Sequence, residues 1–310
     1  MLIRNPPATV TPRLWMLGTN EYPLFLYRGG TQSTIFEGGT GAMGPVLERQ
    51  LKDLGVDPAT VGQVVVTHAH QDHVMAVPAL RAMFPSVQVL ASEAACGTLA
   101  AEKAVGFFQK MDEALTGSLL KAGRITEDDK PQPMEGSTIA VDLTLHEGDR
   151  VEVDEGVAFT VLETPGHSDC SLSFHETDEG LLIISDATGY YMPEQNAWWP
   201  NYFTGYGAYA DSIKRLRDVG AEVLCLSHNG VVTGAEDVRA YFDGAIAATE
   251  AYHERIVEQA KAGASVRQIA EGLGAEVYEY TQLLPLEFFQ KNCGVLVKQS
   301  LRHAGVTPAE

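Results

Sequence analysis

Positive charge is scarce in this 310-residue sequence: lysine and arginine number 22 against 41 aspartates and glutamates, a formal net charge of −19. A phosphate backbone is repelled by most of such a surface, so nucleic acid is not an expected partner. A small anionic substrate stays open, because a bound metal can dominate the local field. No run of 18 apolar residues occurs, which leaves no candidate membrane helix and no expected membrane partner. The opening Met-Leu-Ile-Arg-Asn-Pro-Pro has no apolar signal core, and a cytoplasmic location is expected from it. Cysteine is sparse too. Cys96, Cys170, Cys225 and Cys293 stand far apart, which argues against a disulfide framework or a four-thiolate zinc site and points to buried free thiols. Internal repeats and low-complexity tracts are absent, and the apolar content of 45% is that of a globular chain.

Short strand patterns alternate with helical ones in the first third. Residues 13–17, 24–28 and 31–37 read as strands, 44–54 as a helix stopped by Gly55, and Val64-Val65-Val66 as a buried strand. A helix is expected over 75–84 and a strand over 87–90. Residues 92–135 read as a helical insertion, after which strands return at 138–145, 150–153, 157–163, 170–175 and 181–185. Residues 189–209 are aromatic and read as irregular; a helix over 208–219 and a strand over 223–226 follow. Beyond His228 the pattern is helical, over 235–262, 264–272 and 286–303. The layout predicts an α/β (α+β) fold of sheets covered by helices, with one domain over 1–233 and a helical extension over 234–310.

Chemistry concentrates in His68-Ala69-His70-Gln71-Asp72-His73, directly after the Val64–Thr67 strand. His68 and His70, two residues apart on an extended strand end, point the same way. Asp72 and His73 then turn toward the next helix and can face an adjacent point. One loop can thus serve two metal ions about 3.5–4 Å apart. Imidazole and carboxylate suit zinc, iron and manganese. Three further residues follow short apolar strands: His167 in Thr-Pro-Gly-His-Ser, Asp186 in Ser-Asp-Ala and His228 in Ser-His-Asn-Gly. Each alone is weak, since a lone strand-end histidine is usually a hydrogen-bonded surface residue; the joint pattern is what points to a metal site.

The His-x-His-x-Asp-His motif, with these three residues in this order, resembles the metallo-beta-lactamase fold superfamily over about residues 10–232. The resemblance implies an αββα sandwich with the site at one edge. It implies His68, His70 and His167 on a first metal, Asp72, His73 and His228 on a second, and Asp186 bridging them. Two divalent ions are expected, zinc first, iron or manganese as alternatives. A water bridging two such cations loses a proton near neutral pH, and the cations stabilise the developing oxyanion. Asp72 and Asp186 would orient the resulting hydroxide. Thr67, Ser168, Asp169 and Ser185 are adjacent groups open to supporting the imidazoles or to plain core and turn roles.

Within that superfamily a nuclease reading meets the charge of −19, and a flavodiiron reading meets His70, where those proteins carry glutamate. The remaining expectation is hydrolysis of a small thioester, lactone or related ester. Phosphodiesterase or β-lactam amide hydrolysis is the alternative, and a metal-loaded effector or an iron redox protein the alternative from another class. The helical tail resembles that of glyoxalase II and of the quinolone-signal thioesterase, where it lines the pocket; Leu283, Leu284, Leu286, Phe288 and Phe289 are open to that role or to simple packing. By analogy with lactonases of the family, Tyr190 or Tyr191 would contact the substrate carbonyl. A structural aromatic cluster and a homodimer contact are equally open for that stretch.

Overall fold

A computed structural model describes residues 1–307 as two compact units. The first comprises residues 1–163, 170–185 and 221–234; the second comprises 164–169, 186–220 and the chain from 235 onward.

In the first unit, β1 (Leu2–Ile3) is an edge strand of one sheet, and the chain then builds the other. That other sheet runs in the order β2 (Ala8–Thr9), β3 (Leu14–Gly18), β4 (Pro23–Arg28), β5 (Ser33–Phe36), β6 (Val61–Val65), β7 (Gln88–Ser92) and β8 (Leu143–Leu145). Tight turns make β2 to β5 antiparallel. From β5 onward the neighbours are parallel, because helical crossovers intervene. These are α1 (Met43–Asp53), α2 (Val77–Met83), and the pair α3 (Glu93–Leu99) and α4 (Glu102–Lys121). The sheet containing β1 continues with β9 (Arg150–Asp154), β10 (Val157–Glu163), β11 (Leu172–Glu176) and β12 (Leu181–Ile183). It is completed by β15 (Val223–Cys225) and β16 (Val231–Thr233), in the order β1-β16-β15-β12-β11-β10-β9. Strand alternation sends Met16, Phe25, Tyr27, Phe36 and Val65 of one sheet against Val151, Phe159, Val161, Phe174 and Ile183 of the other. Phe36 sits at the middle, its ring 4.7 Å from Phe159 and 5.3 Å from Phe174.

The second unit holds the hairpin β13 (Tyr190–Met192) and β14 (Ala197–Trp199) and the helices α5 (Tyr206–Asp218), α6 (Ala235–Lys261), α7 (Val266–Tyr280) and α8 (Leu286–Ala304). A capping box of Ser265 and Gln268 starts α7, and left-handed Gly305 ends α8. Phe289 of α8 is buried with its ring 5.4 Å from that of Trp199, whereas Leu286 is exposed. No helix among the described residues is long and apolar enough to cross a membrane.

The expected mixed α/β class and stacked sheets are present. Three local expectations need correcting. The 189–209 stretch contains the β13–β14 hairpin, closed by a turn with Asn196 in the left-handed region; strands of three residues are too short to show a period. The strand expected over 138–145 forms only at 143–145, the chain before it being fastened by the Asp142 carboxylate, which accepts from Val89 N at 2.7 Å. Helix α7 runs on to Tyr280: glycines at 272 and 274 mask a period that Ile269, Leu273 and Val277 maintain. Of the four cysteines, all free, Cys96 is partly exposed on the short α3 and the other three are buried.

Candidate metal centre

Strand β6 runs out through Val66 and Thr67 into His68, fully buried, and His70, whose extended backbone keeps it on the same side. His68 Nε2 and His70 Nδ1 are 3.1 Å apart. A short 3-10 turn over Gln71–His73 then carries Asp72 and His73, and the loop between β15 and β16 brings in His228. Metal-binding atoms of Asp72, His73 and His228 lie within 4.8 Å of one another. The Asp72 carboxylate is 3.5 Å from His73 Nε2 and 3.9 Å from His228 Nε2. In the second unit, His167 Nε2 is 3.4 Å from the Asp186 carboxylate. Five of the seven expected ligands are thus drawn together in the first unit, and the other two pair in the second.

The opposite edge of each ring explains what these atoms can do. His73 Nδ1 donates to Glu37 at 2.8 Å, His228 Nδ1 to the Glu21 carbonyl at 2.6 Å, and His167 Nδ1 to the Asn201 carbonyl at 2.9 Å. A carbonyl or carboxylate oxygen accepts, so the proton is on Nδ1, and in that neutral tautomer Nε2 is the acceptor nitrogen. Each such Nε2 faces a carboxylate oxygen. Lone pair against anion is unfavourable, and a divalent cation between them relieves it, as a second ring proton also would. Imidazole nitrogen with carboxylate oxygen is also the donor set that zinc, iron and manganese take. The residues present therefore fit a metal.

Support reaches further back. Glu37, buried with φ +81, accepts from Thr67 Oγ1 at 2.8 Å with one oxygen while the other holds His73. Ser185 Oγ lies 3.0 Å from His68 Nδ1. Cys170 Sγ accepts from Ala69 N, inside the histidine motif itself. In the second unit Gly166 of Thr-Pro-Gly-His has φ +123, and a Cβ there would overlap the backbone of Tyr209. The Tyr209 hydroxyl accepts from Asn201 N at 3.3 Å, and burial holds that phenol far above its usual pKa, so it stays neutral.

Of the four adjacent groups left open between supporting and core or turn roles, Thr67 meets Glu37 and Ser185 meets His68, whereas Glu37 and the carbonyls of Glu21 and Asn201 are supports that were not expected from the sequence. Only Glu37 carried a signal, an acidic residue in Phe-Glu-Gly-Gly directly after an apolar strand; a backbone carbonyl has none. Of the two tyrosines, Tyr191 donates to Asn196 Oδ1 at 2.9 Å and its ring packs against Trp198 and Tyr241. Tyr190, its neighbour on β13, points to the other face.

A family model described as the metallo-beta-lactamase superfamily matches residues 23–228. Among solved structures, a metallo-beta-lactamase family protein from Thermus thermophilus is similar at a TM-score of 0.64 and 22% identity, over 96% of this chain and 95% of that one. A subclass B3 metallo-beta-lactamase of Bradyrhizobium japonicum is similar at 0.58 and 16% identity, over 84% and 96%. An archaeal metallo-beta-lactamase superfamily protein from Sulfolobus tokodaii is similar at 0.55 and 18% identity, over 74% and 84%. At these identities the likeness is one of fold.

Proposed function

The chain belongs to the metallo-beta-lactamase superfamily, and on that premise we propose that it is a metal-dependent hydrolase of small thioester, lactone or related ester substrates. The carrying observation is the convergence of Asp72, His73 and His228, with two Nε2 lone pairs turned onto one carboxylate and both rings locked from behind. In the proposed assignment His68, His70 and His167 would hold one divalent ion and Asp72, His73 and His228 a second, with Asp186 as a further ligand. Zinc is the first expectation. Bound metal supplies a water of lowered pKa and positive charge for a developing oxyanion. The chain's own residues do the rest. Asp72 and Asp186 accept a hydrogen bond from the attacking water and so orient it. Glu37 and the carbonyls of Glu21 and Asn201 accept from Nδ1, so that each ring turns its Nε2 electrons toward the site. Tyr190 is assigned to the substrate carbonyl in preference to Tyr191, whose hydroxyl is already engaged. The charge of −19 supports a small-molecule substrate over a nucleic acid.

Element analysis of protein purified without added metal, followed by a panel of thioester, lactone, β-lactam and phosphodiester substrates, tests this reading. Up to two equivalents of metal and ester turnover that chelation abolishes and metal restores are expected. Replacement of His70 by Ala is expected to remove turnover while leaving the fold intact. Turnover that survives complete chelation overturns the proposal.

A further inference from the structure

Asp112 on α4 is a buried carboxylate, 5% exposed, that the chemistry above leaves unused. Its Oδ1 accepts from Gly41 N at 2.8 Å. Its other oxygen closes on the same glycine, where a Cβ would collide with it and would press on Pro131 from the other side. The loop so gripped runs from Glu37 to Ala42. Its Gly39 and Gly38 carbonyls accept from Met75 N and Ala76 N at 2.9 and 3.0 Å, just beyond the Gln71–His73 turn. Helix α4 packs on that turn. The charges that act on Asp112 are both negative, those of Asp72 and Glu113, and no ion pair forms with it among the described residues. A buried anion beside another anion, with one amide for support, is an expensive arrangement that an asparagine would avoid at no loss of the hydrogen bond.

We propose that Asp112 is a positioning residue whose negative charge, held on α4 against the glycine loop that is hydrogen-bonded to the segment following the Gln71–His73 turn, strengthens the binding of a divalent cation at Asp72, His73 and His228. The inference rests on the metal-site reading above. The helical insertion then has a part in the site: it would supply charge there from Asp112, which is not one of the seven expected ligands.

Asp112→Asn keeps the oxygen that Gly41 N–H needs and removes the charge. Zinc affinity measured by competition with a chromophoric chelator, together with the melting temperature of the metal-free protein at pH 7.5, tests the proposal. Expected are a loss of zinc affinity of threefold or more and a higher metal-free melting temperature than wild type. A merely structural role would lower both. Glu113→Gln, the same change of charge one residue away on α4, should alter zinc affinity less than threefold. A loss below threefold in Asp112→Asn, a lower metal-free melting temperature, or an equal loss in Glu113→Gln overturns the proposal. If Asp112→Asn does not fold, Asp112→Ser is read by the same affinity criterion. Wild-type protein without saturable zinc binding would instead overturn the metal-site reading itself.

Discussion

Glu37 spends both carboxylate oxygens on the site, one on Thr67 and one on His73. A glutamine can accept with only one oxygen and must turn its amide toward the other partner. Glu37→Gln should therefore loosen His73 and lower metal affinity about 10–100-fold, the usual effect of removing an outer support of a ligand. A chelator-competition titration in which the variant matches wild type would refute this. Asp112 yields a pH prediction at the same scale. Burial, with Asp72 and Glu113 adding to it, raises its pKa from 3.8 to about 6. The folded state thus retains a proton that the unfolded chain has already lost. Stability of the metal-free protein should fall as pH rises from about 4 to about 6, by up to about 3 kcal/mol, and then level off. In Asp112→Asn this component should vanish, and chemical denaturation of both proteins across that range would measure it.

At the scale of elements, legibility in the sequence followed the length of the periodic signal. Helix α6 and strand β10 were readable almost to the residue, because Val238, Tyr241, Phe242 and Ala245 repeat at helical spacing and Val157–Glu163 is a long β-branched and aromatic run. The expectation of a metal site rests on another kind of signal: histidine is rare, and three within six residues stand out without a contact map. What stayed hidden depends on partners distant in sequence. The carbonyl of Glu21 holds His228 across 207 positions, and the β13–β14 hairpin is stabilised by Tyr241 of α6 packing on Tyr191 and Trp198. The tail likewise carries apolar residues whose partners only the fold reveals. Phe289 is 3% exposed and meets Trp199, Tyr278 and Phe288. Phe289→Ala should destabilise the second unit by about 3–5 kcal/mol, the range for an aromatic deleted from a packed core. Because Trp199 would border the cavity so left, its fluorescence should change as well; an unaltered emission and an unaltered unfolding midpoint would count against this packing.

For the whole molecule, a net charge of −19 means that like charges repel across the surface, and this opposes the compact state. Screening should relieve it. As ionic strength rises from 0.01 to 0.15 M the Debye length shrinks from about 30 to about 8 Å, and the melting temperature of the metal-free protein should climb. Metal acts at shorter range. The Asp72, His73 and His228 donors are close together and mostly buried, where salt screens little. Free metal at 100 times its dissociation constant adds about 2.7 kcal/mol per site, provided the unfolded chain does not bind it. The two effects should therefore separate in one experiment. Thermal unfolding with zinc and with chelator, each at low and at physiological salt, should show a salt-dependent rise that is largest in the chelated protein and a zinc stabilisation that persists at the higher salt. A zinc effect that disappears at 0.15 M would mean that the cation is held only by diffuse surface charge, and not by the imidazoles that Glu37 and the Glu21 carbonyl lock in place.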